Sequence, residues 1–265
     1  MFYNIYNISI IYGIKYYFCR VYLFIHKRRM ESVNVFNPHV SVDCVVFGFD
    51  GEKLKVLLIE RTIDQPNEHY NDKKLPGSII YENENLDEAA SRVLGELTGL
   101  RNIYLRQFKS FGDPNRTSNP RDIYWLENTT KLKIGRIVTV AYVALIKINR
   151  KIKLEDENKT VLWYDVQDID KINLAFDHKE IIHAALEHVR HTLKVEPHLM
   201  FELLPRKFTM SQLRILYDVI NQTHSDVRNF QKKMMQLHQL VLLDEVEKNV
   251  PHRAARLYKY ERKKS

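Results

Sequence analysis

The chain has 265 residues, 45% of them hydrophobic and 28% charged, with a formal net charge of +8. This is the balance of a soluble, globular protein with room for one large or two ordinary domains. Cys19 and Cys44 are too few and too far apart for a disulfide framework or a thiolate zinc site, which excludes both classes and fits a reducing cytoplasm. The charge is uneven: residues 1–29 carry +5, residues 226–265 carry +5, and the stretch between carries −2. A near-neutral body with a basic C-terminal region points to a polyanionic partner at that end, the alternative being a solvated surface.

In chain order, Phe2 to His26 is rich in Tyr, Ile and Phe but is interrupted by Asn4, Asn7, Lys15 and Arg20. Charges inside the run argue against a simple membrane span, and no small-residue cleavage site follows it. Residues 1–29 therefore read as an extension outside the fold, with Met30 the more natural start and a membrane anchor the alternative. Val40–Phe49 and Leu54–Arg61 follow as strands, joined by an Asp50-Gly51 hairpin. A helix is predicted after Asn85, which forms a capping box with Glu88; Leu86, Ala89, Ala90, Val93, Leu94 and Leu97 give it an apolar stripe, and Gly99 a left-handed cap. Further strands are expected over Ile103–Phe111, Arg136–Ile148 and Thr160–Tyr164, then a helix over Asp177–Leu193. His183, His188 and His191 on that helix lack metal-ligand spacing and read as structural or surface groups.

Beyond a boundary near Glu196-Pro197, Thr209 and Gln212 form a second capping box, opening a helix to about Asn221. Ser225-Asp226 opens another, Val227 to Leu240, with Phe230, Met234, Leu237 and Leu240 inward. Val241–Val246 and Ala255–Tyr260 read as strands around the basic turn Lys248–Arg253. Helix, short turn, helix and basic-tipped hairpin make the outline of a winged helix-turn-helix. Its second helix would turn Arg228, Asn229, Lys232 and Lys233 toward a major groove, with Arg253, Arg256 and Lys259 on the hairpin. Arg and Asn read base edges, Lys more often phosphate.

The stretch Leu75 to Leu100 resembles the Nudix box of pyrophosphohydrolases, written G-x5-E-x7-R-E-U-x-E-E-x-G-U. Glu84, Arg92, Leu94, Glu96, Gly99 and Leu100 match; Ser78, Val93 and Leu97 replace a Gly and two Glu. Residues three and four apart share a helix face, so one carboxylate remains where the pattern converges three on magnesium. No catalytic residue, metal or cofactor is therefore assigned. The segments FTMSQLRILYDVI, DVRNFQKKM and RAARLYKY resemble the C-terminal domain of the Nudix-related transcriptional regulators. The resemblance implies an α+β chain: a Nudix-type αβα sandwich with a mixed sheet over 36–195, then a winged helix-turn-helix over 198–262. It further implies a ligand-responsive regulator acting as a homodimer on an inverted repeat of double-stranded DNA in the cytoplasm, the sugar-responsive branch being favoured. The alternative is an active Nudix pyrophosphohydrolase with an accessory DNA-binding domain. Arg61, Glu96, Asp113 and Arg116 would border the effector cleft. Residues Thr117–Ile134 exceed the family pattern and read as either a surface excursion or a lid over that cleft.

Overall fold

Strand β1 (Phe36–Phe49) is the axis of the fold. The computed structural model describes residues 34–65, 68–148, 160–237, 239–248, 250–251 and 253–261; the extension read for 1–29 lies outside them. From Ser41 to Phe49 every residue of β1 is buried, as in a strand covered on both faces. It runs parallel to β6 (Val138–Lys147), from Val40 opposite Val138 to Phe49 opposite Lys147. It turns back antiparallel into β2 (Leu54–Gln65) at the expected hairpin. Gly51 takes φ 111° there, and the Asp50 carboxylate accepts the amides of Glu52 and Lys53 at 2.9 and 2.7 Å. With β3 (Glu68–Lys74), β4 (Gly77–Tyr81), β5 (Arg106–Phe111) and β7 (Val161–Asp165), these strands form a seven-stranded mixed sheet. Its main path is β3-β2-β1-β6-β5, with β4 on β1 and β7 on β2.

Alternate residues of β1 feed two helical layers. Val42, Cys44 and Val46 join the apolar stripe of α1 (Leu86–Thr98), while Val45, Phe47 and Phe49 join that of a longer helix, α3 (His178–Val195). Burying Val93, Leu94, Ile181 and Ile182, each at most 1% exposed, contributes roughly 1.5–3 kcal/mol per side chain. The predicted Asn85–Glu88 capping box is formed, and Gly99 ends α1 at φ 69°. Within the extra segment, Asn119 caps α2 (Pro120–Thr130), which lies over a small core of Ile79, Leu126, Ile134 and Ile137.

The C-terminal part contains α4 (Met210–Asn221), α5 (Val227–Met234) and a three-stranded sheet. That sheet has the order β8 (Phe208–Thr209), β10 (Arg256–Tyr260), β9 (Leu240–Val246). This is the expected winged helix-turn-helix, with two differences. Helix α5 stops at Met234 instead of reaching Leu240, and the Leu237 amide closes a turn on the Met234 carbonyl at 3.0 Å. Leu237 and Leu240 keep helical spacing, but Leu240 is more useful opposite Tyr260, where it opens β9 and is buried. Two-residue β8 is too short to leave a periodic signal. One apolar core runs from Val45, Phe47 and α3 through Phe201 and Phe208 into Leu213, Leu216 and Phe230. Asn34, Val35 and residues 81–83 belong to a separate small unit, where the Glu82 amide donates to the Val35 carbonyl at 2.8 Å. Among the described residues no helix is long and apolar enough to cross a membrane.

Candidate functional site

Helix α5 divides cleanly by face. Phe230 and Met234 are buried at 4% and 6% exposure, whereas Arg228, Asn229, Lys232 and Lys233 are exposed. The Asp226 carboxylate caps the helix by accepting the Asn229 amide at 2.9 Å. The start of the helix is therefore fixed beside the two residues expected to read bases. Lys233 lies over the Tyr217 ring at 5.4 Å, which ties one of the three cations back to α4. On the hairpin, Arg253 and Arg256 are exposed, and half-buried Lys259 pairs with Glu261 at 2.5 Å.

The turn between α4 and α5 depends on Asp218, which the sequence reading missed. Its carboxylate accepts the Ser225 amide at 3.0 Å and pairs with Arg214 at 3.1 Å; its carbonyl accepts the Thr223 amide at 3.1 Å. Gln222 completes the turn at φ 54°. An acid at the end of a helix, followed by Thr and Ser, was a readable sign of such a turn.

On α1 the box positions have gone into the core. Val93 is fully buried among Val42, Cys44 and Leu94, and Leu97 packs against the same cluster. Glu96 is half-exposed and held by Arg92 at 3.0 Å; Arg92 Nε also donates to Glu84 at 2.7 Å. Ser78 lines a small cavity beneath α2. A magnesium ion held on this helix needs convergent oxygen donors, and the donor set here does not fit it.

The other two cations expected at the cleft are buried. Arg61 is 3% exposed: its Nε donates to Asp72 at 2.7 Å, and its Nη2 pairs with Asp72 and, at 2.6 Å, with Asp122 of α2. The Trp125 and Phe176 rings lie 5.1 and 5.4 Å from the guanidinium, whose Nη1 is buried and finds no hydrogen-bond acceptor. Arg116, 8% exposed, makes a two-pronged pair with Asp177 at 2.8 and 2.9 Å and approaches Asp43 at 3.6 Å. Asp113 is exposed and caps the 3-10 turn 114–117, its carboxylate accepting the Asn115 amide at 2.7 Å. The structure thus gathers Arg61 and Arg116 into one buried polar region with Asp43, Asp72, Asp122, Asp177, Lys74 and His178. Glu96 is engaged separately, on α1.

Asp43 organises that region. It accepts the Thr139 hydroxyl at 2.7 Å and faces His178 Nε2 at 3.4 Å. The Leu75 amide donates to His178 Nδ1 at 3.1 Å, placing the ring proton on Nε2, toward Asp43. Burial pushes the Asp43 carboxyl up, but the His178 ring, Arg116 and the Thr139 hydroxyl outweigh it and hold it well below the usual carboxylate range. A lone Asp in the strand run VSVDCVVFGF was the available signal, because an unpaired buried carboxylate is rare. The room left beneath α2 is about 40 Å³, on the order of one water molecule.

Two family profiles match the chain: the NUDIX domain over residues 37–185 and the NrtR DNA-binding winged helix domain over residues 200–260. The ADPR responsive transcriptional repressor NtrR of Acinetobacter baylyi is 28% identical over 226 residues, covering 84% of this chain and 82% of that protein. An ADP-ribose pyrophosphatase of Methanocaldococcus jannaschii is 27% identical over 159 residues, 60% of this chain and 79% of that protein. Among solved structures, Shewanella oneidensis NrtR complexed with a 27mer DNA superposes with a TM-score of 0.63 at 26% identity, covering 84% of this chain and 93% of that one. A MutT/nudix family protein from Enterococcus faecalis gives a TM-score of 0.59 at 26% identity, over 85% and 89% of the two chains.

Proposed function

This chain belongs to the Nudix domain family, and we propose that it is a transcriptional regulator whose winged helix binds DNA under control of a small metabolite held by a non-hydrolytic Nudix domain. The observation that carries this reading is the exposed basic face of α5, set on a module that shares one apolar core with the Nudix sheet. A ligand shifts such a protein only through different affinities for its DNA-competent and incompetent states, and a shared core lets a change in one part reach the other. Val93 in the core and Leu97 beside it favour sensing over hydrolysis.

The effector we infer is a pentose-bearing nucleotide of the ADP-ribose class. One relative is named for its response to ADP-ribose and another as an ADP-ribose pyrophosphatase, which supports a nucleotide over the free pentose that the sequence favoured. Arg61 and Arg116 suit a diphosphate, but in the conformation described Asp122 and Asp177 occupy them. The effector therefore enters by displacing α2, whose Asp122 stands where an anionic group would bind. Working in the cytoplasm as a homodimer, the protein would meet an inverted repeat with its two α5 helices.

Fluorescence anisotropy on inverted-repeat DNA selected from a random pool tests the reading. We expect salt-sensitive binding that ADP-ribose weakens and arabinose leaves alone. By linkage, an effector that weakens DNA binding tenfold binds the DNA complex about tenfold, or about 1.4 kcal/mol, more weakly than the free protein. Absence of DNA binding at low salt, or magnesium-dependent ADP-ribose hydrolysis lost in Glu96→Gln, would overturn it.

A further inference from the structure

A cavity of about 760 Å³ lies outside the cleft, where the segment leading into β5, the end of β6 and the C-terminal half of α3 meet the winged helix. That volume is in the range of small-molecule sites. Its apolar floor includes buried Val143 and Val189. Two aromatic rings line it: Tyr104, 73% exposed, and Tyr260 of β10, whose ring stacks on Phe201 at 4.2 Å and 10° and is thereby held in place. The Arg106 guanidinium lies 5.9 Å from the Tyr104 ring centre, and the rest of that exposed ring, beside the cavity, offers a flat surface for stacking.

The polar groups are placed asymmetrically. Glu196 locks Arg106 with two hydrogen bonds, at 2.8 and 3.2 Å, so this cation is largely neutralised. Lys147, at the end of β6, makes no ion pair with another described side chain. Glu202, the carboxylate on the lining, is engaged in an interaction of its own. Burial, then Arg106 and His191, lower the His188 pKa, so that its ring is a neutral hydrogen-bonding group at neutral pH. Glu202, Gln239 and Tyr260 come from the winged-helix part and the remaining polar groups named here from, or just after, the Nudix sandwich.

We propose that this junction cavity binds a flat amphipathic anion: an aromatic or heteroaromatic body bearing one phosphate or carboxylate. The body takes the apolar floor and the tyrosines, and the head group meets Lys147. An occupant touches both modules at once and so strengthens their junction. The site is separate from the Nudix cleft, and its existence depends neither on an effector at Arg61 nor on DNA binding.

The full chain is titrated with anilinonaphthalene sulfonate, an aromatic anion whose fluorescence rises in apolar sites. One saturable dye per chain is expected. Thr192→Phe, which places a ring in the cavity, and Lys147→Glu, which reverses its charge, should each weaken binding by about tenfold with an unchanged circular dichroism spectrum. Thr192 lies on a packed helix; should that variant fail to fold, Lys147→Glu decides alone. Adenosine monophosphate and naphthoate, added as competitors, separate a phosphate head from a carboxylate by which displaces the dye at lower concentration. Non-saturable dye binding, equal binding by wild type and Lys147→Glu, or displacement by neither competitor overturns the proposal.

Discussion

Asp43 is a buried carboxylate in the covered stretch of β1, and its surroundings leave little freedom to adjust. A Cβ at Gly77 would lie 1.8 Å from Asp43 Oδ1 and 3.0 Å from the Val42 carbonyl. Because Thr139 and His178 hold that carboxylate, it cannot swing aside, and Gly77→Ala should cost roughly 1–3 kcal/mol by overpacking. Calorimetry would reveal it as a lowered Tm. The folded-state pKa of Asp43 lies below the unfolded value of 3.8, so its contribution is fully present above that value and is lost as pH falls toward the folded one. Asp43→Asn should lower stability at neutral pH, and its urea midpoint should fall less than that of the wild type between about pH 4 and 2. Equal acid sensitivity in the two proteins would remove Asp43 as the cause. Val93→Glu, which returns a box carboxylate, would bury an unpaired charge; about 3 kcal/mol or more should be lost in urea unfolding.

At the scale of elements, α2 and α5 carry opposite roles. Helix α2 packs over Ile79, Ile134 and Ile137, and its Asp122 accepts the Phe176 amide at 3.0 Å as well as Arg61, so one side chain joins the extra segment to the loop before α3. Removing one partner of a buried ion pair costs about 3–5 kcal/mol, hence Asp122→Ala should destabilise the protein while uncovering Arg61. Replacing residues 118–133 by a short Gly-Ser linker should raise ADP-ribose affinity in calorimetric titration; unchanged affinity would show that α2 does not guard the site. Helix α5 should act through its exposed face. Lys232→Ala should lower DNA affinity across sequences and reduce the salt slope by about one. Arg228→Ala should cost about 1–3 kcal/mol at one base position if the contact is bidentate. DNA binding unchanged when both are removed together would rule α5 out as the reading helix.

For the whole molecule, one apolar core spans the two modules, so they are expected to unfold as one cooperative unit. Residue Phe201 is 7% exposed, packs on Phe208 and Tyr260 within the winged helix and shares one core cluster with Val45 and Ile181 of the Nudix sandwich, while Arg190 of α3 donates to the Ile220 carbonyl of α4 at 2.6 Å. We expect a single calorimetric transition, and Phe201→Ala should lower it by the equivalent of about 3–5 kcal/mol. Two separate transitions in the wild type would mean that the modules fold independently. What the sequence determined by itself was local. The Asn85–Glu88 and Thr209–Gln212 capping boxes, the Asp50-Gly51 hairpin and the stripe of α1 could all be read, because each depends on residues within a turn or two of one another. The inward Phe230 and outward Arg228 were legible for the same reason. Only the tertiary structure decided that α5 stops at Met234, since Leu240 fits either period until β10 supplies a strand to pair with. Nor could spacing show that residues 117–134 set a helix over Ile79 and Ile137, or that Arg61 answers to Asp72 and Asp122. Those acids lie 11 and 61 positions away in sequence, and a buried charge is paired by whichever partner the folded chain brings within hydrogen-bonding reach.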